Sequence, residues 1–420
     1  MVRARGLVAL TAATVLAFAC GGTSGGGSSN KGEIDIGSDL PTSGADASSG
    51  LPTQYGAAFA VEQAGTVKGF TLKFLPFDDA VNGKHDPTKG AQNVQQMISN
   101  NKILGMVGPF NSGVAGAEIP VANQAPLAMV SPSNTNECLT IAFDYCQSYA
   151  GYTPSSLRPT GKNNYFRIAA NDTHQGPAMA DYAYDTLGLK TIAVWDDGEP
   201  FGLGVANNFA KEFQKKGGTV VARQTFNTSS KPDFHSWLNQ AKAAGAQGIY
   251  AGATSASYGC IPRAESQGIF DPNTYYLGPD GIGDRQCLSD AGSTMGNDHL
   301  YASQGVADAN SNPSAAATIA KYKTEHPNAA DTGAYTFAGY DCAAILIDAI
   351  GRAIDANNGN MPTRQQVIDQ LAKTSNFKGL TGTYSLNQAG DPTTPALQIQ
   401  QWKGGDAGWT TVKNINVSGS

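Results

Sequence analysis

Residues 103–140 read I-L-G-M-V-G-P-F-N-S-G-V-A-G-A-E-I-P-V-A-N-Q-A-P-L-A-M-V-S-P-S-N-T-N-E-C-L-T. A short apolar run, Ile103 to Val107, ends at Gly108-Pro109, a pair that closes a strand. Asn111 or Ser112 supplies an N-cap oxygen for a helix whose apolar positions are Val114, Ala117, Val121 and Ala122. Pro126 stops it, and a second apolar run from Leu127 to Val130 ends in the turn-rich Ser131-Pro132-Ser133-Asn134-Thr135. This is a βαβ unit with polar loops at the carboxyl ends of both strands, where open α/β sheets place their sites. The helix start at Ser112 adds free N–H groups and a positive dipole end that suit an anion.

Working outward, the same alternation repeats. Ile34 and Ile36 alternate with Asp35 and Gly37 as a strand, a polar loop runs from Asp39 to Pro52, and a helix is expected over 53–64. Phe70 to Phe77 is a strand, and Asp86-Pro87 caps a helix with a buried stripe of Ala91, Val94 and Ile98. Beyond Thr173, strands are expected at 191–195, 220–226, 248–251 and 275–277, separated by helices at 174–187, 201–216, 234–244 and 257–267. Further helices are expected near 314–326, 334–357 and 364–373. Alternation at this spacing makes an α/β fold of parallel sheets with helices on both faces. The last segments, 382–386, 396–402 and 409–412, read as antiparallel strands.

The motif of the opening stretch, G-P-F-N-S-G-V-A followed by M-V-S-P-S-N-T-N-E-C-L-T, resembles the solute-binding proteins of branched-chain amino acid ABC transporters. So do I-D-I-G-S-D-L-P-T-S-G (34–44), Y-F-R-I-A-A-N-D-T-H-Q-G-P-A-M-A-D-Y (165–182), Y-L-G-P-D-G (276–281) and F-A-G-Y-D-C-A-A-I-L-I-D-A-I (337–350), in that family's order. The resemblance implies a two-lobed type I periplasmic binding fold with a hinge. One lobe is expected to comprise 33–166 plus 304–395, the other 167–303 plus 396–416. It implies a binding protein without catalysis or cofactor, whose partners are a small amino-acid-like ligand and an ABC permease.

Carried over residue by residue, Ser112 matches the serine for the ligand carboxylate, and Ser133 and Thr135 match the loop for the amino acid head. Asp280 matches the carboxylate for the ligand ammonium, and Phe201 and Tyr335 match aromatic walls. Read without the resemblance, Ser112 is an N-cap, Ser133 and Thr135 are turn residues, and Pro279-Asp280-Gly281 is a turn. This chain departs from leucine-type binders in two places. Small polar residues, Asp46 to Gly50, stand where a tyrosine is usual, and Ala253-Thr254 lacks a further aromatic. Both imply a wider or more polar pocket. A neutral amide, a urea-like compound or an aromatic acid is the alternative ligand class in the same fold.

Composition bounds the remaining classes. The chain has 420 residues, 50 glycines, 15% charged residues and a net charge of −6. No basic run marks nucleic-acid binding. Arg3 and Arg5 precede an apolar run, Gly6 to Phe18, too short to span a bilayer. Residues 1–19 read as a signal peptide and Cys20 as a lipidation site, although Leu16 lies four places before it where a lipobox has its leucine three before. Residues 20–32 are a glycine-rich linker, so membrane attachment is expected through the lipid alone, on the outer face of the cell membrane or in the periplasm. Export permits disulfides, and Cys138–Cys146 and Cys260–Cys287 are expected, with Cys342 a buried free thiol in a helix. The five scattered histidines and the lack of a C-x-x-C argue against zinc.

Other chemistry reads weakly. Gly202, Gly204 and Asn207 form a near miss to the dinucleotide motif, and Asp196-Asp197 beside it repel a pyrophosphate, so tight helix packing is the better explanation. A secreted α/β enzyme needs a nucleophile–base pair, and His174 alone lies near the candidate loops. A receptor-type sensor lacks an output domain. Asp78-Asp79 and Asp196-Asp197 read as solvated loops or helix caps, and residues 138–164 as a surface insertion clipped by a disulfide.

Overall fold

The computed structural model describes residues 30–292, 299–404 and 408–417. Cys20, expected to carry a lipid, the expected signal peptide at 1–19 and most of the expected linker lie outside the described residues. Two large sheets carry the fold. The first has the order β2-β3-β1-β6-β7-β8. It comprises β1 (Glu33–Leu40), β2 (Thr66–Val67), β3 (Phe70–Asp78), β6 (Ile103–Val107), β7 (Ala128–Ser131) and β8 (Tyr165–Arg167). All its pairings are parallel except β2 with β3. A small hairpin, β4 (Ala80–Val81) with β5 (Lys84–His85), stands beside it.

The second sheet runs β10-β9-β11-β12-β13-β16-β17. Its parallel part is β9 (Thr191–Asp196), β10 (Thr219–Thr225), β11 (Gly248–Gly252), β12 (Tyr275–Gly278) and β13 (Leu300–Gln304). β16 (Ala396–Trp402) and β17 (Trp409–Asn416) close it antiparallel, as the sequence implied. The expected strand at 382–386 is only the short β15 (Thr383–Tyr384), paired with β14 (Phe377–Lys378).

Helices cover both sheets. α1 (Ala47–Ala64), α2 (Pro87–Ser99), α3 (Ser112–Gln124), α4 (Cys146–Ala150), α5 (Asp172–Asp181) and α6 (Pro200–Lys215) come first. α7 (His235–Ala243), α8 (Ile261–Glu265), α9 (Arg285–Ala291), α10 (Ala316–Glu325), α11 (Thr336–Ala356) and α12 (Arg364–Leu371) follow. α11 and α12 lie late in the chain but pack on the first sheet. Cys342, Leu346 and Leu371 share one core with Ile34, Ile36 and Val130. α5 packs instead on the second sheet, where Met179 joins Val194, Tyr250 and Leu277. The chain therefore crosses between the sheets after β8, after β13 and before β16.

Several sequence expectations need correction. α1 begins at Ala47, not at 53, and takes in Pro52 at its sixth position, where the helix forgoes one i→i−4 bond. The helix expected over 257–267 is a turn at Ser255–Ser257 plus the five-residue α8. Neither Asn111 nor Ser112 caps α3 through its side chain. Asp79, Asp196 and Asp197 are buried, not solvated. Residues 138–164 are not loose decoration, since Leu139, Tyr152 and Leu157 belong to a first-lobe core with both disulfide sulfurs. The bonds Cys138–Cys146 and Cys260–Cys287 are present, and Cys342 is free and buried.

Candidate functional site

Parallel strands deliver their loops to one edge, and here the two sheets turn those edges toward each other. From the first lobe come the start of α3 and the loop after β7. Ser112 Oγ accepts the Asn136 N–H at 3.2 Å. Ser133 donates its hydroxyl to the Phe110 carbonyl at 2.9 Å, and Asn134 Nδ2 donates to the same carbonyl at 2.7 Å. The loops are thus fixed on one another. Arg167, wholly buried, braces them by donating to the Asn136 carbonyl at 2.8 Å while Asp391 holds its Nε at 2.6 Å. The Thr135 hydroxyl is buried and makes no hydrogen bond of good geometry.

The second lobe answers with the turn after β12. Asp280 is buried. One oxygen accepts from Gln175 on α5, and the other accepts the Tyr335 hydroxyl at 2.8 Å. Burial pushes its carboxyl up to about 6, against the lowering effect of those two donors. Tyr335 sits at the start of α11, in the other lobe, and its oxygen also accepts the Gly305 N–H at 3.1 Å. Its hydroxyl therefore links the two lobes at Asp280. Its ring meets Phe110 edge-on at 5.5 Å. Phe201, in the first turn of α6, faces Gly281. A Cβ there would lie 2.8 Å from the Phe201 ring and 2.7 Å from the Ala253 carbonyl, so this approach requires glycine.

Sequence reasoning missed three groups. Asp172, the first residue of α5, is wholly buried, and neither oxygen has a hydrogen bond of good geometry. Its carboxyl lies well above the usual range, first through burial and then through the charges of Glu137 and Asp280, while Thr135 beside it pulls the other way. An aspartate at a helix start reads as an ordinary dipole partner, which hid it. Gln175, one turn on, was quoted within a motif but given no role. The third group is a contact set between lobes. His85, from the β4–β5 hairpin, bridges Asp46 of its own lobe and Glu199 of the other.

The two departures from leucine-type binders meet in space. Ser48 and Ser49 donate to Asp284 Oδ2 at 2.8 and 3.2 Å, and Ser255 donates to Oδ1 at 2.7 Å. Hydroxyls and a carboxylate occupy that end of the cleft. Asn207, at the near-miss dinucleotide position, bonds to Tyr149 and to Arg223, while Gly202 packs against the Gly252 carbonyl, a close helix–strand approach.

Two parallel-sheet lobes, three crossings and a buried polar site between them define the class, a two-lobed solute-binding protein. The periplasmic binding protein family model matches residues 33–407, and the chain belongs to that family. It is 26% identical over 385 residues to a Leu/Ile/Val-binding protein homolog of Brucella suis, covering 90% of this chain and 92% of the relative. It is 25% identical to a leucine-, isoleucine-, valine-, threonine- and alanine-binding protein of Pseudomonas aeruginosa, covering 89% and 90%. A leucine-binding protein of Thermotoga maritima superposes with a TM-score of 0.76 at 25% identity, over 91% of this chain and 99% of that one. The family and fold are those of transport substrate-binding proteins. Among the described residues no helix is long and apolar enough to cross a membrane.

Proposed function

We propose that this chain is the extracytoplasmic binding component of an ABC importer, lipid-anchored through Cys20, and that it captures an amino acid with a polar side chain. The ligand carboxylate is assigned to Ser112 and the free N–H groups at the start of α3. The head group is assigned to Ser133 and Thr135, and the ammonium to Asp280 with Asp172. Phe201 flanks the side chain, whose tip faces Ser48, Ser49 and Asp284. Closure of lobe 33–166 plus 304–395 on lobe 167–303 plus 396–416 forms the surface presented to a permease. The observation that carries this reading is the buried Asp280, reached by Tyr335 from the other lobe. A carboxylate so enclosed gains most from an ammonium partner.

The test is a thermal-shift screen of residues 31–420 against amino acids, amides and aromatic acids. A ligand at 100 times its Kd stabilises the fold by roughly 2.7 kcal/mol. A response confined to amides, urea-like compounds or aromatic acids replaces the amino acid reading. Anchoring is checked separately. Cys20→Ala is expected to move the protein from the membrane fraction to the soluble exported pool, and retention after a salt wash counts against lipidation.

A further inference from the structure

The first lobe buries three carboxylates that the ligand site does not use. Asp39 lies near the end of β1, Asp79 directly follows β3, and Glu118 projects from the middle of α3. All three are 0% exposed. One oxygen from each lies within 4.8 Å of the others. Asn93 donates to Asp39 Oδ1 at 2.8 Å. The remaining five oxygens of the trio meet no donor, ammonium and guanidinium groups included. Asp79 is the clearest case. It is wholly buried, it faces the other two, and neither of its oxygens is bonded. His85, whose charge reaches Asp79, has both ring nitrogens committed to Asp46 and Glu199. α2 leaves room beside Glu118, since a Cβ on Gly90 would lie 2.6 Å from its Oε1.

Three adjacent carboxylates cannot all stay ionised in a dry interior without a compensating cation. The donors are all oxygen, which selects a hard divalent ion. The enclosure favours calcium, which accepts six to eight oxygens including bidentate carboxylates, over magnesium, which keeps its waters. We propose that Asp39, Asp79 and Glu118 form a calcium site inside the first lobe, one that ties β1 and β3 to α3. Because α3 also carries Ser112, the ion braces the ligand-facing end of that helix. The competing arrangement is a set of protons shared among the three carboxyls.

The test uses the full chain, purified without chelator and passed into metal-free buffer. Elemental analysis is expected to find one calcium per chain. EDTA is expected to lower the melting temperature and added CaCl2 to restore it. Asp79→Asn is expected to remove that difference. Glu265→Gln, in the surface group Asp233, His235 and Glu265, is expected to keep it. Wild-type protein that holds no stoichiometric metal and melts identically in EDTA and CaCl2 overturns the site and leaves the shared protons. Metal lost in Glu265→Gln but kept in Asp79→Asn overturns the assignment to these residues. If Asp79→Asn does not fold, the wild-type measurements decide alone. None of these readouts depends on the amino acid ligand.

Discussion

His85 of the first lobe and Glu199 of the second face each other across the cleft, with Nε2 2.8 Å from Oε2. The other ring nitrogen lies 2.6 Å from Asp46. Carboxylates only accept, so both ring nitrogens must donate and the ring is an imidazolium. Lys84 pairs with the same Glu199. Burial alone would lower the His85 pKa, but Glu199 and Asp46 together hold it well above 6.5. The closed state therefore gains from this contact fully below pH 6.5 and loses it as pH rises through the raised value.

The first prediction follows from that bridge. His85→Ala should weaken ligand binding about tenfold or more, the worth of one hydrogen bond to a charged group, about 1.5–3 kcal/mol. It should also abolish the fall in affinity expected of the wild type as pH rises through the raised His85 value. Calorimetric titration from pH 6 to 9 measures both. A His85→Ala profile that overlays the wild type leaves the bridge without a role in closure.

The disulfides should divide by loop length. Closing the 138–146 loop is worth about 2.6 kcal/mol and the 260–287 loop about 3.6 kcal/mol, as upper figures from chain entropy. Cys260→Ala/Cys287→Ala should therefore lower unfolding stability more than Cys138→Ala/Cys146→Ala. The shorter loop has a second effect to test. Tyr149, in the helix that follows Cys146, donates to the Leu203 carbonyl on α6 at 3.2 Å, so the clipped segment spans both lobes. Its removal should change ligand affinity as well as stability, whereas loss of the longer bridge should change mainly stability. Equal effects of both double variants on affinity would sink this distinction.

Much of this was legible in the sequence because it depends on local pattern. Strand runs that end in Gly-Pro or Ser-Pro, and helices with a regular apolar stripe, read off directly. The start of α1 did not, since Asp46 to Pro52 is small and polar and looks like a loop until Gly50 and Gly56 are seen packed against the Pro41 and Thr336 carbonyls. Asp280 and Phe201 stood out through their motifs, and the fold brings Phe201 against Gly281 beside Asp280. The second role of Tyr335 was not legible, because its Asp280 partner is 55 residues away in the chain. His85–Glu199 and Ser48–Asp284 join positions 114 and 236 residues apart, and nothing local marks either pair. Asp79 looked like a loop residue because sequence shows its neighbours, not its burial.

Asp172 offers a prediction that separates stability from binding. Its carboxylate is buried without a donor of good geometry, and burial raises its pKa, so its ionised form costs the empty protein stability. Asp172→Asn should raise the melting temperature of the ligand-free protein at pH 7.5 and weaken binding of an ammonium ligand. Thermal melts with and without ligand test this. A variant with lower ligand-free stability and unchanged affinity would place Asp172 among the structural residues instead.

Asp280 is where the amino acid reading is most exposed. Its carboxyl titrates near pH 6 in the ligand-free fold, above the ordinary 3.8, because burial disfavours the charge. The sign follows from that direction. The fold takes up this proton before the unfolded chain does, so this group's destabilising effect is present above pH 6 and is relieved as pH falls from 6 toward 4. Ligand binding runs the other way, because an ammonium needs the carboxylate. The Asp280 contribution to affinity should be flat from pH 7 to 8 and fall about tenfold by pH 5, since the carboxylate must then release a proton to bind. Asp280→Asn should remove that acid limb. At pH 7.5 it should also weaken binding by ~2–5 kcal/mol, roughly thirtyfold or more, because the ammonium is left without its charged partner. Tyr335→Phe removes one of the two donors that hold the pKa down, so its acid limb should shift to higher pH with less effect at 7.5. Calorimetric titration of the three proteins across pH 5 to 8 reads all of this. If Asp280→Asn binds the ligand found by screening as tightly as wild type and with the same pH profile, the ligand presents no ammonium there, and a neutral amide or an aromatic acid becomes the better assignment.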